Sequence, residues 1–229
     1  MSEEKSVSEQ SDNVKAKKKL TKLEKWFRTM RRFHAVCMRP FFPYTKLGHT
    51  EKFNDRAYII VGNHKSVLDV VPAAICMDKP VHFMSKKELT EKRLGRWFTE
   101  KCECIIVNRD GSDVRALMLA MKYLKNGESV CIFPEGTRNK TNEVFLPFKS
   151  GAAALAIKTK TPIILMMQYT KIKALKRSYF YYSEPFELTE YYDKKLTDED
   201  IKEADEKLRT KMLEIYIALG EYITNKKKK

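Results

Sequence analysis

The chain lacks a long apolar run. None of its uninterrupted apolar stretches reaches the ~18–20 residues that a helix needs to span a bilayer. There is also no internal repeat and no signal-peptide pattern. We therefore expect a protein without a transmembrane helix, which works on the cytoplasmic side of any membrane that it contacts.

Residue spacings typical of metal ligands are missing as well. The five cysteines include Cys102 and Cys104, which are one residue apart in a predicted strand and should point to opposite faces, a poor geometry for a metal or a disulfide. Cys131 lies within an apolar strand and is expected to be a core residue. We predict no metal site, no resident cofactor and a reducing compartment.

Acidic residues are almost absent from the N-terminal region. Residues 15–46 contain eleven Lys or Arg and one Glu, in a chain of formal net charge +15. Apolar residues recur there at three- or four-residue steps, at Leu20, Leu23, Phe27 and Met30. A basic helix with one apolar face is typical of a segment that lies on an anionic membrane surface. The alternatives are a helix that packs on its own domain and, least favoured, a nucleic-acid surface, so we expect no nucleic-acid partner.

The rest of the chain alternates between apolar strands and helical patterns, which predicts an α/β fold with a largely parallel sheet flanked by helices and preceded by an N-terminal amphipathic helical segment. We divide the chain into a disordered tail (1–14), basic amphipathic membrane-interface helices (15–47) and an α/β domain (48–229). Strands are predicted near 57–61, 81–85, 102–107, 129–133, 162–168 and 179–186. Helices are predicted near 66–77, 91–101, 112–125, 149–159 and in a long C-terminal stretch that begins at 196–198.

One strand is followed by residues suited to a general base. The apolar run 58–61 leads into the octet 62–69, which contains His64 and Asp69. The His supplies a ring nitrogen that titrates near neutral pH, and the Asp can orient the ring. On a continuous helix the two side chains would lie about 140° apart, so a direct pair requires His64 in a loop and Asp69 in the first helical turn. Alternatively, Ser66 and Asp69 form a capping box, a purely structural device.

Two other strands end near an arginine. The strand 129–133 runs into Pro134 and reaches Arg138, and the strand 105–107 reaches Arg109. The planar guanidinium matches two phosphate oxygens, although an Arg after a strand is often simply solvated. Because ligands of open α/β sheets bind beyond the carboxyl ends of the strands, these groups could converge with His64 on one site.

Together these segments resemble the glycerolipid acyltransferases, and among them the lysophosphatidate acyltransferases. Asn63-His64 with Asp69 is similar to the family's His-x4-Asp motif, and Phe133-Pro134-Glu135-Gly136-Thr137-Arg138 matches its hexapeptide. The resemblance covers roughly residues 55–170 and also includes the stretches 83–89, 105–109, 148–152 and 161–164. One departure concerns the acyl-donor side, where Leu165 stands in place of a second Pro.

The resemblance implies an acyl transfer. An acyl chain would pass from acyl-CoA or acyl-carrier protein to the free sn-2 hydroxyl of 1-acyl-glycerol-3-phosphate, giving phosphatidic acid. His64, oriented by Asp69, would be the base, and the acceptor phosphate would be held by Arg138, Arg109 and Lys86. The motif residues that would position the substrate are Asn63, Glu135, Gly136 and Thr137.

Several points stay open at this level. Glu135 could bridge Arg138 or touch the substrate hydroxyls, and the N–H groups at the helix start after Ser66 are candidate oxyanion donors. The acceptor could instead be glycerol-3-phosphate or another lyso-lipid, because the hexapeptide is shared among these activities. A non-catalytic membrane-binding module would not need a base, and a thioester hydrolase would leave the arginines unexplained.

Overall fold

A computed structural model describes residues 20–108, 113–149 and 151–228. The predicted tail (1–14) and the start of the predicted interface helices (15–19) lie outside these residues. The described part contains a seven-stranded sheet in the order β1-β7-β6-β2-β5-β3-β4. Its strands are β1 (Tyr44–Gly48), β2 (Ile59–Gly62), β3 (Val81–Lys86), β4 (Ile105–Val107), β5 (Ser129–Ile132), β6 (Ile163–Gln168) and β7 (Ser178–Tyr182).

Seven α-helices accompany the sheet in the described residues. They are α1 (Lys22–Phe33), α2 (Val70–Ile75), α3 (Glu88–Glu91), α4 (Arg93–Lys101), α5 (Val114–Lys125), α6 (Ala152–Thr159) and α7 (Asp198–Lys228). A π-helical turn, His34–Met38, continues α1, and a 3₁₀ turn, Val67–Asp69, precedes α2. Thr21 and Glu24 form a capping box that begins α1.

The predicted α/β architecture is confirmed. The strand pairs are parallel except for β7, which runs antiparallel to β6. Because β2, β3, β4, β5 and β6 are parallel, their carboxyl ends meet at one edge of the sheet, which we call the carboxyl edge. The loops that carry His64, Lys86 and Arg138 all leave the sheet there.

Strand β1 was not predicted, and it corrects the start of the domain. Tyr44–Gly48 pairs with β7 over its whole length, so the predicted boundary at residue 47 falls inside a strand of the sheet. The sequence hides this strand because its residues are only half-buried and follow Pro43 directly, with no apolar alternation. The sheet therefore begins at Tyr44.

Helices cover both faces of the sheet. On one face, which we call the α7 face, α5, α6 and α7 pack on β-strand residues such as Ile163 and Leu165. On the other, the α1 face, α1, α2 and α4 pack on Ile164 and Met166. The predicted C-terminal helix is confirmed as α7, which buries Ala204, Leu208, Met212 and Leu219 against the sheet.

The two neighbouring cysteines differ from the prediction. Cys102 ends α4 and Cys104 precedes β4, so neither lies in a strand. Glu103 between them has φ +46°, so the chain turns between the two cysteines. Cys131 is buried in β5, as predicted.

Helix α1 is docked on the domain, which was the alternative to a purely membrane-facing helix. Phe27 is buried, and Leu23 and Trp26 pack against the core of the α1 face. Arg31 donates hydrogen bonds to the carbonyl oxygens of Met77 (3.1 Å) and Asp78 (2.6 Å). Half of the predicted apolar stripe is therefore internal packing. Among the described helices, none is long and apolar enough to cross a membrane.

Candidate active site

His64 and Asp69 form the direct pair that the spacing predicts. His64 lies in the loop after β2, and Asp69 is the last residue of the 3₁₀ turn. His64 Nδ1 is 2.8 Å from Asp69 Oδ2. The Asp69 side chain is fully buried, whereas 19% of the His64 side chain is exposed. The site therefore has a solvent-accessible ring held by a carboxylate that solvent does not reach.

The capping-box alternative is also realised, by the same carboxylate. Asp69 Oδ2 accepts hydrogen bonds from the backbone N–H groups of Lys65 (2.6 Å) and Ser66 (2.7 Å). Ser66 Oγ in turn accepts from the N–H of Leu68. Two backbone donors require an acceptor, so Asp69 is best satisfied as a carboxylate and His64 Nδ1 carries the donated proton. Asp69 therefore has two roles: it fixes the conformation of the loop, and it selects the tautomer of the His64 ring.

These bonds revise the expected oxyanion donors. The N–H groups of Lys65, Ser66 and Leu68 already donate to Asp69 and Ser66, and so they are not available to a substrate. Val67 is the remaining donor of this stretch, and its residue is 63% exposed.

The hexapeptide holds the backbone of His64 from both sides. Glu135 Oε1 accepts a hydrogen bond from the His64 N–H (2.8 Å), and the N–H of Asn139 donates to the His64 carbonyl (2.7 Å). Both polar backbone groups of the base are therefore tied to the turn that follows β5. The position of the ring depends on that turn as much as on its own loop.

Glu135 has a role that the sequence did not suggest, because both of its carboxylate oxygens bind backbone N–H groups. Its second oxygen, Oε2, accepts from the backbone N–H of Leu146 (2.9 Å), so the carboxylate bridges two loops and not Arg138. The residue is 2% exposed. Burial raises the pKa of Glu135, while the two backbone hydrogen bonds and the nearby His64 and Lys65 oppose that rise.

Phe133 and Gly136 complete the turn beside the base. The Phe133 ring stacks on the His64 ring with centroids 4.4 Å apart. Gly136 has φ +62°, and an added Cβ would also lie 3.0 Å from the Lys149 side chain. A left-handed backbone of this kind favours glycine, so Gly136 has a conformational role in this turn.

Two of the three predicted phosphate ligands lie in the described residues. Arg138 and Thr137 are exposed in the turn after β5, and Lys86 is exposed at the end of β3. Arg138 directly precedes Asn139, whose N–H binds the His64 carbonyl. The backbone of Arg138 therefore lies next to the loop of residues 63–69, which we call the base loop. Lys86 leaves from the strand beside β5 at the same carboxyl edge. Arg109 lies outside the described residues.

Asn63 is a structural residue. Its side chain donates to the carbonyl of Gln168 (2.8 Å) and accepts from the Gln168 N–H (3.0 Å), and the residue is 1% exposed. The amide thereby joins the carboxyl ends of β2 and β6 at the residue before His64. Both polar ends of this buried amide are therefore engaged by the backbone of Gln168.

Sequence reasoning missed the contact between the base loop and α7. Lys65 Nζ lies 3.3 Å from the Tyr216 hydroxyl and 5.0 Å from the centroid of its ring. Tyr216 also reaches the Tyr169 carbonyl, and the Tyr169 ring packs on Gly220, where a Cβ would come within 2.6 Å. The only signal in the sequence was Gly220 within an otherwise regular helix.

Comparisons with known proteins show the family of this chain. The family model described as "Acyltransferase" matches residues 45–167, which is more than half of the chain and includes the whole base loop and the hexapeptide. The chain belongs to the acyltransferase family. This confirms the resemblance that the motifs indicated.

Individual acyltransferases match over part of their length. The 1-acyl-sn-glycerol-3-phosphate acyltransferase of Helicobacter pylori is 36% identical over 123 residues, which are 53% of this chain and 52% of the relative. That of Streptococcus pneumoniae is 29% identical over 164 residues, 68% of this chain and 59% of the relative. The match therefore spans between half and three fifths of these curated relatives.

A solved structure shares the fold. The crystal structure of the 1-acyl-sn-glycerophosphate (LPA) acyltransferase from Thermotoga maritima aligns with a TM-score of 0.60 at 22% identity. The alignment covers 84% of this chain and 79% of that chain. It supports the observed fold, including the parallel sheet and the helices on both of its faces.

Proposed function

We propose that this acyltransferase is a 1-acylglycerol-3-phosphate O-acyltransferase, which acylates the sn-2 hydroxyl of lysophosphatidate and produces phosphatidic acid. The observation that carries the proposal is the buried Asp69 carboxylate, which lies 2.8 Å from an accessible His64 ring. The carbonyl of His64 accepts a hydrogen bond from Asn139, the residue that follows Arg138. A base and a phosphate ligand are thereby joined in one structural unit. The names of the curated relatives agree with this activity.

His64 acts as the general base in this proposal. Asp69 occupies Nδ1, which leaves Nε2 to take the proton of the acceptor hydroxyl while that oxygen attacks the thioester carbonyl. The new ester bond forms as the thiolate leaves, and the proton held on His64 passes to the sulfur. Asp69 stabilises the imidazolium between the two transfers. The transfer is direct, without an acyl-enzyme, and it needs no cofactor because the thioester supplies the activated acyl group.

Arg138 and Lys86 hold the acceptor phosphate, with Arg109 as a third ligand from the neighbouring strand end. A phosphate bound at the turn after β5 places the glycerol backbone beside His64, since the same turn clamps the His64 carbonyl. Holding both reactants converts a bimolecular step into a nearly unimolecular one, which supplies much of the rate enhancement. Glu135, Asn63 and Gly136 position these groups through the backbone rather than by touching substrate.

A small apolar pocket lies on the α1 face. It is lined by Leu68 and Pro72 together with residues of the N-terminal segment and the β7 edge, among them Met38, Phe42, Tyr44 and Phe180. Its cavity volume is about 30 Å³, which is enough for only a few water molecules. The proposal therefore does not place an acyl chain in this pocket.

The site works at a membrane surface in this proposal, because acceptor and product both keep an acyl chain in the bilayer. Met30, Phe33, Val36 and Phe41 are exposed apolar residues of the N-terminal segment, which also carries most of its basic residues on its surface. We propose peripheral attachment to the cytoplasmic face of an anionic membrane through this segment.

An assay with a panel of acceptors and both donors tests the proposal. Purified protein is given acyl-CoA or acyl-carrier protein with lysophosphatidate, glycerol-3-phosphate or lysophosphatidylcholine, while free thiol and lipid product are both followed. We expect lysophosphatidate to be acylated at least tenfold faster than the others, and His64→Ala to abolish both signals.

Two results would contradict this function. Thiol release that does not depend on any acceptor would indicate a thioester hydrolase. A preference for glycerol-3-phosphate would move the activity to the first acylation step.

A further inference from the structure

The loop between β6 and β7 carries concentrated positive charge. Residues 170–177 contain four basic side chains and no acidic one, and all four are exposed: Lys171, Lys173, Lys176 and Arg177. Within the described residues, none of the four forms a salt bridge. Arg177 donates one long hydrogen bond to the Thr45 hydroxyl (3.4 Å), and the three lysines are not paired with an acidic side chain there. We call this segment the basic loop.

The tip of the basic loop exposes a leucine in a costly conformation. Leu175 is 76% exposed and has φ +59°, in the left-handed region that favours Gly or Asn. Its N–H donates to the Phe41 carbonyl at 2.6 Å, which ties the tip to the N-terminal segment. An exposed leucine at a positive φ does not stabilise the folded protein. Contact with an external apolar environment would give this side chain a role.

The basic loop is continuous with the surface of the N-terminal segment. Phe41 is 59% exposed and Val36 is 73% exposed, and the Ser178 N–H donates to the Pro43 carbonyl just beyond the loop. Ile172 anchors the loop from below, because it is buried in the wall of the apolar pocket. The loop also leaves β6 at the carboxyl edge, where the base loop leaves β2. Exposed apolar residues and free cations therefore share one rim beside the site.

We propose that the basic loop is a second membrane-contact element, in which the four cations bind anionic lipid headgroups and Leu175 inserts into the interface beside Phe41 and Val36. Basic residues are attracted to an anionic lipid surface, and exposed apolar side chains near them add burial in the interface. An acidic carrier protein would match the charge, but it would leave the exposed apolar side chains of Leu175, Phe41 and Val36 unexplained. The proposal rests on the proposed function only in that the acceptor is a membrane lipid.

A charge-reversal pair tests the electrostatic part. Lys171, Lys173 and Lys176 are changed to Glu in one variant, and Lys125, Lys158 and Lys202 are changed to Glu in the control. The control residues are exposed on α5, α6 and α7, the helices that cover the α7 face of the sheet. The net charge changes by the same amount in the loop variant and in the control. In co-sedimentation with vesicles containing phosphatidylglycerol, we expect the loop variant to bind about 10²-fold more weakly and the control to stay within about threefold of wild type.

Leu175→Asn tests the apolar part without threatening the fold. Asn tolerates a positive φ, so the variant should unfold at the same temperature as wild type or higher. We expect its vesicle binding to fall several-fold and the deficit to persist at high salt, where electrostatic attraction is screened. Met118→Gln is the control, since Met118 is 64% exposed on α5, and it should bind like wild type.

The outcomes separate this inference from the proposed function. Equal binding of the loop variant and its charge control would overturn the second contact element. Normal vesicle binding with a selective loss of activity on acyl-carrier protein would assign the loop to the donor instead. All variants should acylate a monomeric short-chain acceptor with acyl-CoA at the wild-type rate. If wild type itself fails in that assay, the proposed function is wrong, while the vesicle result still decides the role of the loop.

Discussion

The base loop (63–69) and the rim formed by the N-terminal segment and the basic loop lie at neighbouring parts of the molecule, yet they are built in opposite ways. In the base loop almost every polar group is paired inside the protein: Asp69 Oδ2 takes three donors, and both backbone groups of His64 are bonded to the hexapeptide turn. On the rim, the cations of the basic loop form no salt bridge with described residues and Leu175 stands in solvent.

The difference follows from what each region has to do. A base must sit within a fraction of an ångström of the reacting atom, so its hydrogen bonds are made in advance and its carboxylate is kept from water. A surface that meets a fluid bilayer gains nothing from fixed geometry, and it needs charges and apolar side chains that are still unsatisfied. Arg31 lies at the boundary between these two kinds of surface. It belongs to the basic helix α1, but its guanidinium is hydrogen-bonded to backbone carbonyls of the domain.

The largest effects are expected from substitutions of His64 and of Asp69, the two members of the hydrogen-bonded pair. His64→Ala should lower turnover by about 10²–10⁴-fold and leave the unfolding temperature nearly unchanged, because the ring is partly exposed. Asp69→Asn should lower turnover to a similar extent and also destabilise the protein, because a neutral amide oxygen is a weaker acceptor for the three donors and its NH2 would take the buried position of Oδ1, which has no partner. Thiol-release rates and denaturant unfolding measure the two effects. If both variants were equally stable, Asp69 would not organise the loop.

Glu135→Gln tests whether the hexapeptide acts through the backbone of the base. The amide nitrogen of Gln would face one of the two N–H donors, of His64 or Leu146, so we expect kcat to fall by about 10–10²-fold with little change in acceptor KM. A rise in KM alone would mean that Glu135 contacts the acceptor after all.

The same variant gives a pH signature. The pKa of Glu135 is raised in the folded protein from its ordinary 4.5 by burial, so the folded state binds the proton more tightly than the unfolded state. Stability from this group is complete below about pH 4.5 and is lost as the pH rises through the raised value. Urea unfolding of wild type and Glu135→Gln across pH 4–8 should therefore show a difference that changes in this range. Parallel curves would contradict the burial effect.

Arg138 extends the comparison, because it belongs to the site but is as exposed as the rim. Arg138→Ala should raise the acceptor KM by about 10–50-fold and leave the donor KM and the stability unchanged, since the guanidinium holds the phosphate and no core contact. Arg138→Lys should recover only part of the loss, because an ammonium cannot reproduce the planar fork. Steady-state kinetics with each substrate varied in turn decides this. Equal damage to both KM values would remove Arg138 from the phosphate site.

The smallest effect is expected at the boundary itself, in two adjacent arginines of α1. Arg31→Ala should cost about 1–2 kcal/mol of unfolding free energy, because it removes the bonds to the Met77 and Asp78 carbonyls. Arg32→Ala should not change the stability and should weaken binding to anionic vesicles slightly, because Arg32 is exposed. Urea unfolding and co-sedimentation are measured on both. Interchanged results would mean that α1 is oriented differently against the domain.

Local patterns in the sequence were enough for most elements. The apolar runs of β2, β5 and β6 are buried on both faces of a parallel sheet, and such strands are recognisable because nearly all of their residues are apolar. The long C-terminal helix was predicted to begin at 196–198, and α7 begins at Asp198. The pair of His64 and Asp69 also followed from spacing alone, since the loop and the first turn are the arrangement that brings residues five apart together.

Long-range contacts could not be read from the sequence in this way. β1 is a strand because it pairs with β7, more than 130 residues later, and its own residues carry no strand signal. Asn63 and Glu135 sit in motifs that suggested substrate contact, and their true partners are the backbones of Gln168 and Leu146. The basic loop drew no attention in the sequence, because its meaning comes from its contact with Phe41.

The sequence by itself therefore determined the fold class, the strand and helix periods, and the chemical groups available to the site. Tertiary structure decided which polar groups are consumed by the protein and which remain for a substrate or a membrane. The physical reason is that hydrogen-bond capacity is finite: whether a carboxylate, amide or cation is free depends on which chain segments the fold brings to it. Asp69, Arg31 and Leu175 acquire their different roles in that way.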